Sequence, residues 1–369
     1  MVRLGIAGIG IIARDYIDLI QTGAVEGAEL TALCSRNQES MARLQGQYPG
    51  LERARCFTSY GDLLSSGAVD GVVICTPHGL HPSMALQAVE AGLHVLVEKP
   101  VGIFADEVEG VLAALARRPG LVCGVLYNRR ASPAFRYAKE LMERHAIGEL
   151  VRATWIITNL YRPAAYYQTG SWRGAWASEG GGLLMTQASH QLDLMQWLCG
   201  MPAGVWARCS TVGRAICTEN EAELCFTYAN GAHGHFIASA HECPGRNLLE
   251  ICGTLGRLTV RDDREVELYR LEEDEREFSQ RCEHLFQQPS GTRETRTFDG
   301  SDNRGQQAAT IQNFVQAAEG RVPIQCGLEE GLRSLQIIHG AYLSQWTGRD
   351  VPLPADEDSF RSMLARRDD

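Results

Sequence analysis

The sequence predicts an α/β protein of two domains, a doubly wound parallel sheet followed by an α/β domain with a mostly antiparallel sheet. Three observations carry this expectation. The chain has 369 residues, more than one typical hydrophobic core accommodates. Over roughly the first 120 residues, short apolar runs alternate with amphipathic segments, the pattern of strand–helix–strand units with right-handed crossovers. Beyond about residue 124, strand-like runs succeed one another, some parted by tight-turn signals such as Ala229-Asn230-Gly231.

Taken in order, strands are expected at 2–7, 29–34, 69–75, 93–97 and 121–127, and helices at 12–22, 37–47, 80–91 and 104–117. The domain boundary is expected at 123/124, with a doubly wound domain over 1–123 and a second α/β domain over 124–369. In the second domain a helix is expected over 136–144 and a strand over 149–160. Gly180-Gly181-Gly182 introduces a helix over about 183–198. Strands follow at 203–212, 221–229, 232–240, 247–252, 256–261 and 265–271. The polar, weakly periodic stretch 273–302 reads as an exposed loop or partly disordered, and closing helices are expected near 305–319 and 328–346.

Composition narrows the function classes. A hydrophobic content of 44% with 22% charged residues is ordinary for a globular protein. The net charge of −10 argues against a nucleic-acid or anionic-membrane partner. No apolar run is long enough to span a bilayer, and a strand starting at residue 2 leaves no room for a signal peptide. The 12 cysteines are scattered without any Cys-x-x-Cys, and several (Cys34, Cys75, Cys123, Cys225) fall within expected strands. They read as thiols in a reducing, cytoplasmic compartment.

The first strand runs into Gly8-Ile9-Gly10-Ile11-Ile12-Ala13 and then a helix. In that context Gly8 and Gly10 let backbone approach a pyrophosphate, Ile11 and Ile12 open the helix whose N-terminus stabilises its charge, and Ala13 permits close helix–strand packing. The second strand ends on Cys34-Ser35-Arg36-Asn37, where an acid would hold the ribose hydroxyls of NAD. The Ser35 hydroxyl and Arg36 guanidinium suit a 2′-phosphate, so either NAD or NADP is expected, NADP mildly favoured; the plain alternative is a solvated Arg36 over bound NAD. Thr76 and Pro77 border the cofactor at a later strand end, and His81 either touches its nicotinamide end or caps and packs the next helix. Glu98-Lys99-Pro100 closes the strand at 93–97 on a proton carrier, with Glu98 and Lys99 both expected at the cofactor.

Gly8-x-Gly10-x-x-Ala13, Thr76-Pro77 with His81, and Ala91-Gly92-Leu93-His94-Val95-Leu96-Val97-Glu98-Lys99-Pro100 together resemble the Gfo/Idh/MocA oxidoreductases. The similarity continues through Glu179-Gly180-Gly181-Gly182, Gln187-x-x-His190-x-x-Asp193-Leu194, Pro244-Gly245-x-Asn247 and Glu250-Ile251-x-Gly253-x-x-Gly256, and so covers nearly the whole chain. The resemblance implies a Rossmann domain followed by an open, mostly antiparallel α/β domain whose sheet often mediates homo-oligomerisation. It implies that Lys99 lies beside the nicotinamide, hydrogen-bonded to the reacting carbinol, after a cis Lys99–Pro100 bond. An ammonium there stabilises a developing alkoxide. His190 is the general acid/base that the resemblance implies. On the expected helix Thr186, His190, Asp193 and Leu194 share a face, and Gln187 also reaches the site. Thr186 departs from the many relatives that carry aspartate there, so the proton relay must differ. Gln187 resembles a subgroup with glutamine, and Asp193 matches the family or simply braces the helix.

Aromatic faces stack on pyranose rings and arginine donates to hydroxyls. Tyr161, Tyr166, Tyr167, Trp172, Arg173 and Trp176 therefore suggest a sugar or polyol pocket, interface packing being the alternative, especially for Trp176. Tyr127, Asn128, Arg129 and Arg130 are expected to line the same pocket. His233, His235 and His241, near Glu242 and Cys243, do not come together on one strand, so no metal site is expected. The favoured reading is an NAD(P)-dependent oxidoreductase interconverting a secondary alcohol and a ketone on a sugar, a glycoside (position 3 favoured) or a cyclitol. Inositol 2-dehydrogenation, NAD-dependent redox-assisted glycoside cleavage and a non-catalytic cofactor sensor are the competing readings.

Overall fold

The computed structural model describes residues 1–170, 173–299 and 302–367. They form two units: Met1–Ala131 with Asp302–Leu335, and Ser132–Ser301 with Gln336–Asp369.

The first unit carries six parallel strands, β1 (Val2–Ala7), β2 (Ala28–Cys34), β3 (Arg55–Phe57), β4 (Gly71–Ile74), β5 (His94–Val97) and β6 (Cys123–Val125), in the order β3-β2-β1-β4-β5-β6. The direction of winding reverses between β1 and β4, the switch point where such sheets bind ligands. Helices cover both faces, and the strands read as continuous apolar runs for that reason: every residue of β4 is buried. The helix Ile11–Gln21 turns Ala13, Tyr16, Ile17, Leu19 and Ile20 into the core.

The first unit is discontinuous in sequence, unlike the expected division at 123/124. The helix Asn303–Ala318 puts Ile311, Phe314 and Val315 into the same core as Leu4, Ile6, Ile17 and Leu96. Arg304 pairs with Asp18, and Gln312 brackets Glu26 through its main chain. Apolar periodicity locates such a helix but carries no record of which sheet it covers.

The second unit carries nine strands: β7 (Leu150–Ile157), β8 (Gly204–Ser210), β9 (Glu221–Thr227), β10 (His233–Ser239), β11 (Asn247–Gly253), β12 (Gly256–Arg261), β13 (Glu265–Leu271), β14 (Gly291–Thr297) and β15 (Val351–Pro352). Their order is β14-β13-β12-β11-β7-β10-β9-β8-β15, antiparallel throughout except between β10 and β7. Alternate residues of β9 and β10 are buried, as expected of a sheet packed on one side. Phe135 of the helix Pro133–Glu143 meets Trp155 at 5.7 Å between ring centroids, and Trp155 meets Phe236 at 6.3 Å.

The stretch 273–302 holds more structure than its polarity suggests. Asp274 caps the helix Glu275–Arg281, and β14 pairs with β13 at the sheet edge. Every β14 residue after Gly291 is exposed, so no apolar alternation marks the strand. The helix expected over 183–198 is two helices, Leu183–Thr186 and Ser189–Cys199. Among the described residues no helix is long and apolar enough to cross a membrane.

Candidate active site

The predicted cofactor residues gather along the carboxyl ends of adjacent strands. Gly8 N donates to the Cys34 carbonyl (3.0 Å), Cys75 N to that of Ala7 (2.8 Å) and Glu98 N to that of Ile74 (2.9 Å), stitching together the ends of β1, β2, β4 and β5. Gly8 has φ +89°, and a Cβ there would lie 2.7 Å from the Cys75 carbonyl oxygen. A Cβ on Gly10, the N-cap of the first helix, would project into open space. No side chain caps that helix and no acid occupies its first turn, so its leading N–H groups suit a pyrophosphate. Ala13 is fully buried, Ile12 half-buried, and Ile11 83% exposed. The residues present therefore fit the dinucleotide that the motif implies. Gly8→Ala should impose about 1–2 kcal/mol of backbone strain on top of the clash; a lower melting temperature with cofactor binding weakened at least about tenfold is the outcome that calorimetry would check.

Arg36 is exposed, and the Ser35 hydroxyl accepts a hydrogen bond from Asn37 N (3.2 Å). Thr76 donates to Met84 Sδ (3.3 Å), and Pro77 is exposed. Two residues expected at the cofactor face inward instead. His81 is fully buried, with Nδ1 2.8 Å from the Pro100 carbonyl and Nε2 2.7 Å from that of Thr76. Both ring nitrogens are thereby committed to main chain, which corrects its assignment to the nicotinamide. Burial pushes its basicity down, the two carbonyls pull it up, and nearby Lys99 opposes protonation. Glu98 likewise turns into the core, accepting from the Tyr16 hydroxyl and from Lys99 N (2.9 Å). Burial raises its pKa, while Lys99 and the hydrogen bonds oppose the rise. Tyr16, which the sequence reading missed, thus ties the phosphate-site helix to the strand end that carries Lys99. A buried phenol needs such a partner, and that need was the available signal. Lys99 itself is half-buried and precedes a cis bond to Pro100, as expected.

Asn128 is no pocket residue. It is buried, and its amide donates to Asn303 Oδ1 (2.8 Å) and Gln306 Oε1 (3.3 Å), fastening the turn Asn128–Ala131 under the helix Asn303–Ala318. Tyr127 and Arg130 are also interior, Arg130 paired with Glu330.

In the second unit the glycine run is a packing requirement. Gly180 has φ +72° and ends the helix Trp176–Glu179. A side chain on Gly181 would strike the Tyr342 hydroxyl, and one on Gly182 the main chain of Glu219. The Glu219 carboxylate, absent from the sequence reading, accepts from Gly182 N (2.9 Å), Leu184 N (2.9 Å) and the Tyr342 hydroxyl (2.8 Å). Burial pushes it up to about 7. It clamps the segment that leads to Thr186, Gln187 and His190. No spacing in the sequence distinguishes this acid from its neighbours.

The Thr186 hydroxyl lies 2.7 Å from the Gly182 carbonyl and 2.8 Å from Gln187 Oε1, and its one hydrogen serves either. Gln187 Nε2 donates to the Tyr166 hydroxyl (2.8 Å). The helix break at 187–188 means that Thr186 does not share a continuous helical face with His190, as the spacing had implied. His190 is half-buried on the first turn of the new helix; Asp193 is fully buried and accepts from Gln196 (3.2 Å). Arg173 donates to the Tyr166 hydroxyl (2.6 Å) and to Thr169 (3.0 Å), with Glu179 at 3.8 Å. Tyr161 is exposed. Trp176 is interior, edge-on to Tyr342 at 5.1 Å within the second unit. Ser171 and Trp172 lie outside the described residues.

Residues 2–127 match the oxidoreductase family described by its NAD-binding Rossmann fold, and residues 135–259 match the GFO/IDH/MocA C-terminal domain. The chain belongs to the Gfo/Idh/MocA oxidoreductase family, and its first unit is an NAD-binding Rossmann domain. It is 28% identical over 199 residues to 4-carboxy-2-hydroxymuconate-6-semialdehyde dehydrogenase of Sphingobium sp., covering 54% of this chain and 59% of that protein. It is 30% identical over 202 residues to inositol 2-dehydrogenase of Leifsonia xyli, covering 54% of each. The chain thus spans somewhat over half the length of these two curated relatives. Among solved structures, the WlbA dehydrogenase from Bordetella pertussis, in complex with NADH and UDP-GlcNAcA, is similar at TM-score 0.77 and 26% identity, over 96% of this chain and 99% of that one. Levoglucosan dehydrogenase in complex with NADH shares the fold at TM-score 0.79 and 20% identity, over 96% of this chain and 100% of that one.

Proposed function

We propose that this protein is a nicotinamide-dependent dehydrogenase that interconverts a secondary alcohol and a ketone on a small sugar-like or cyclitol substrate. The observation that carries this reading is the placement of Lys99 on the same strand-end edge as the Gly8–Gly10 loop, braced from behind by Glu98 and His81. The nicotinamide supplies or accepts a hydride. Lys99 donates a hydrogen bond to the reacting oxygen; one donor aimed at a developing oxyanion is worth about 3–4 kcal/mol. His190 takes the hydroxyl proton in oxidation and returns it in reduction. With Thr186 in place of a carboxylate, Gln187, held by Tyr166, orients substrate beside the imidazole. The relatives named for inositol and the structure holding a nucleotide sugar support a polyhydroxylated substrate.

Position 3 of a glycoside remains the finer expectation. A screen of neutral sugars, sugar acids, sugar phosphates, glucosides and inositols with NAD and with NADP, followed by cofactor absorbance, tests the reading; no reduction with any of them would sink it. Exposed Arg36 supports use of NADP: Arg36→Ala should weaken NADP about tenfold and leave NAD unchanged, read from KM for each. The one-sided second sheet, with Trp206 exposed on β8, supports a homo-oligomer formed through it, and the 12 free thiols support a cytoplasmic setting.

A further inference from the structure

Tyr166 sits among guanidinium groups. The Cζ atoms of Arg173 and Arg162 lie 4.3 and 5.2 Å from its ring centroid, and Arg214 lies 5.5 Å from that of Tyr161. Arg214 Nε donates to the Arg162 carbonyl (3.0 Å), joining the two loops. Burial pushes the Tyr167 phenol up while Arg214 and Arg162 oppose it, so both cations act on that residue as well.

Arg162 and Arg214 are half-buried. Their hydrogen bonds go to carbonyls, of Leu160 and Tyr161 for Arg162 and of Arg162 and Gly213 for Arg214. Among the described residues neither forms an ion pair with a carboxylate. The acids on nearby segments are engaged elsewhere. Glu179 accepts from Gly174 N (2.6 Å) and faces Arg173, Glu221 holds Ser210 and faces His241, and Glu242 accepts from Thr158. In a chain of net charge −10, three guanidinium groups on adjoining segments, of which only Arg173 has a carboxylate at ion-pair distance among the described residues, repel one another and attract an anion. The cluster joins the His190 segment directly, because the Tyr166 hydroxyl accepts from both Arg173 and Gln187.

We propose that Arg162 and Arg173, over the Tyr166 ring, together with Arg214 beside Tyr161 and the Arg162 carbonyl, form a recognition site for an anionic group on the substrate, a carboxylate or a phosphoryl group. The substrate is then a sugar acid or a sugar phosphate, not a neutral sugar. Planar guanidinium forks match either set of oxygens. The inference rests on the reading of His190 as the acid/base, since the cluster reaches that residue's segment through Gln187, three positions before it.

Calorimetric titration of the whole chain with saturating NAD, using D-glucuronate, D-glucose 6-phosphate and D-glucose, tests it. At least one anion should bind about tenfold tighter than glucose and weaken as salt rises. R162Q and R214Q should each remove most of that preference, with R162K keeping part of it. Glucuronate alone preferred identifies a carboxylate, and the phosphate alone a phosphoryl group. Glucose bound as tightly as both anions, or a preference unchanged in both glutamine variants, overturns the proposal. The preference should persist in H190A, so normal turnover in that variant would remove the proposed chemistry without touching the anion site.

Discussion

Lys99→Ala and His190→Ala should each lower turnover by roughly 10²–10⁴-fold, the range over which a positioned proton donor or acceptor acts, while cofactor affinity stays nearly intact. The side chain of Lys99 is removed without disturbing what holds its strand end: Glu98 accepts from Lys99 N, a main-chain donor that alanine retains, and His81 grips the carbonyls of Thr76 and Pro100. The phosphate-site glycines are likewise untouched. His190 lies in the other unit, on a helix whose neighbours Gln191, Leu192 and Asp193 are buried and unchanged. Steady-state kinetics with a titration of NAD or NADP checks both variants. Near-normal turnover in either would exclude that residue from the reaction.

The second large effect is expected at Glu219, on stability. Glu219→Ala leaves the buried Leu184 N and Tyr342 hydroxyl without their acceptor, and Gly182 N with only the Tyr342 oxygen (3.1 Å). Buried donors without partners cost about 1–3 kcal/mol each, and the new cavity adds to this, so a loss on the order of 3 kcal/mol or more is expected in thermal melting. Its titration carries a sign of its own. Burial raises the folded carboxyl to about 7 from an ordinary 4.5, so between those values the folded chain keeps a proton that the unfolded chain has released. Its contribution is therefore full below about 4.5, declines as pH rises, and is gone above about 7. Glu219→Gln, which has no proton to lose, should flatten that limb of the melting-temperature profile; an unchanged slope would remove Glu219 as its source.

Legibility in the sequence followed the physics of each feature. The parallel sheet was plain because strands buried on both faces are apolar throughout and alternate with amphipathic helices. The turn at Gly8 was plain because positive φ and close approach leave glycine little competition there. Edge strand β14 was missed because exposure on both faces erases periodicity. The break between Thr186 and Ser189 was missed because both halves carry helix-compatible residues, and the interruption comes with the clamp on the preceding turn. His81, Glu98 and Asn128 were placed at the cofactor or in the pocket because polar residues at strand ends read as ligands. Each is instead satisfied by groups distant in sequence, and sequence spacing cannot register that.

The helix Asn303–Ala318 also bears on how the chain comes off the ribosome. Ile311, Phe314 and Val315 complete the core around Ile17 and Leu19, so the nucleotide domain emerges first yet cannot close until most of the polypeptide has been made. Nascent chains would carry an uncovered apolar face throughout synthesis of the intervening second domain, a stretch in which chaperone engagement is favoured. A fragment ending before this helix would keep that face exposed permanently, which makes expression of the isolated amino-terminal portion prone to aggregation.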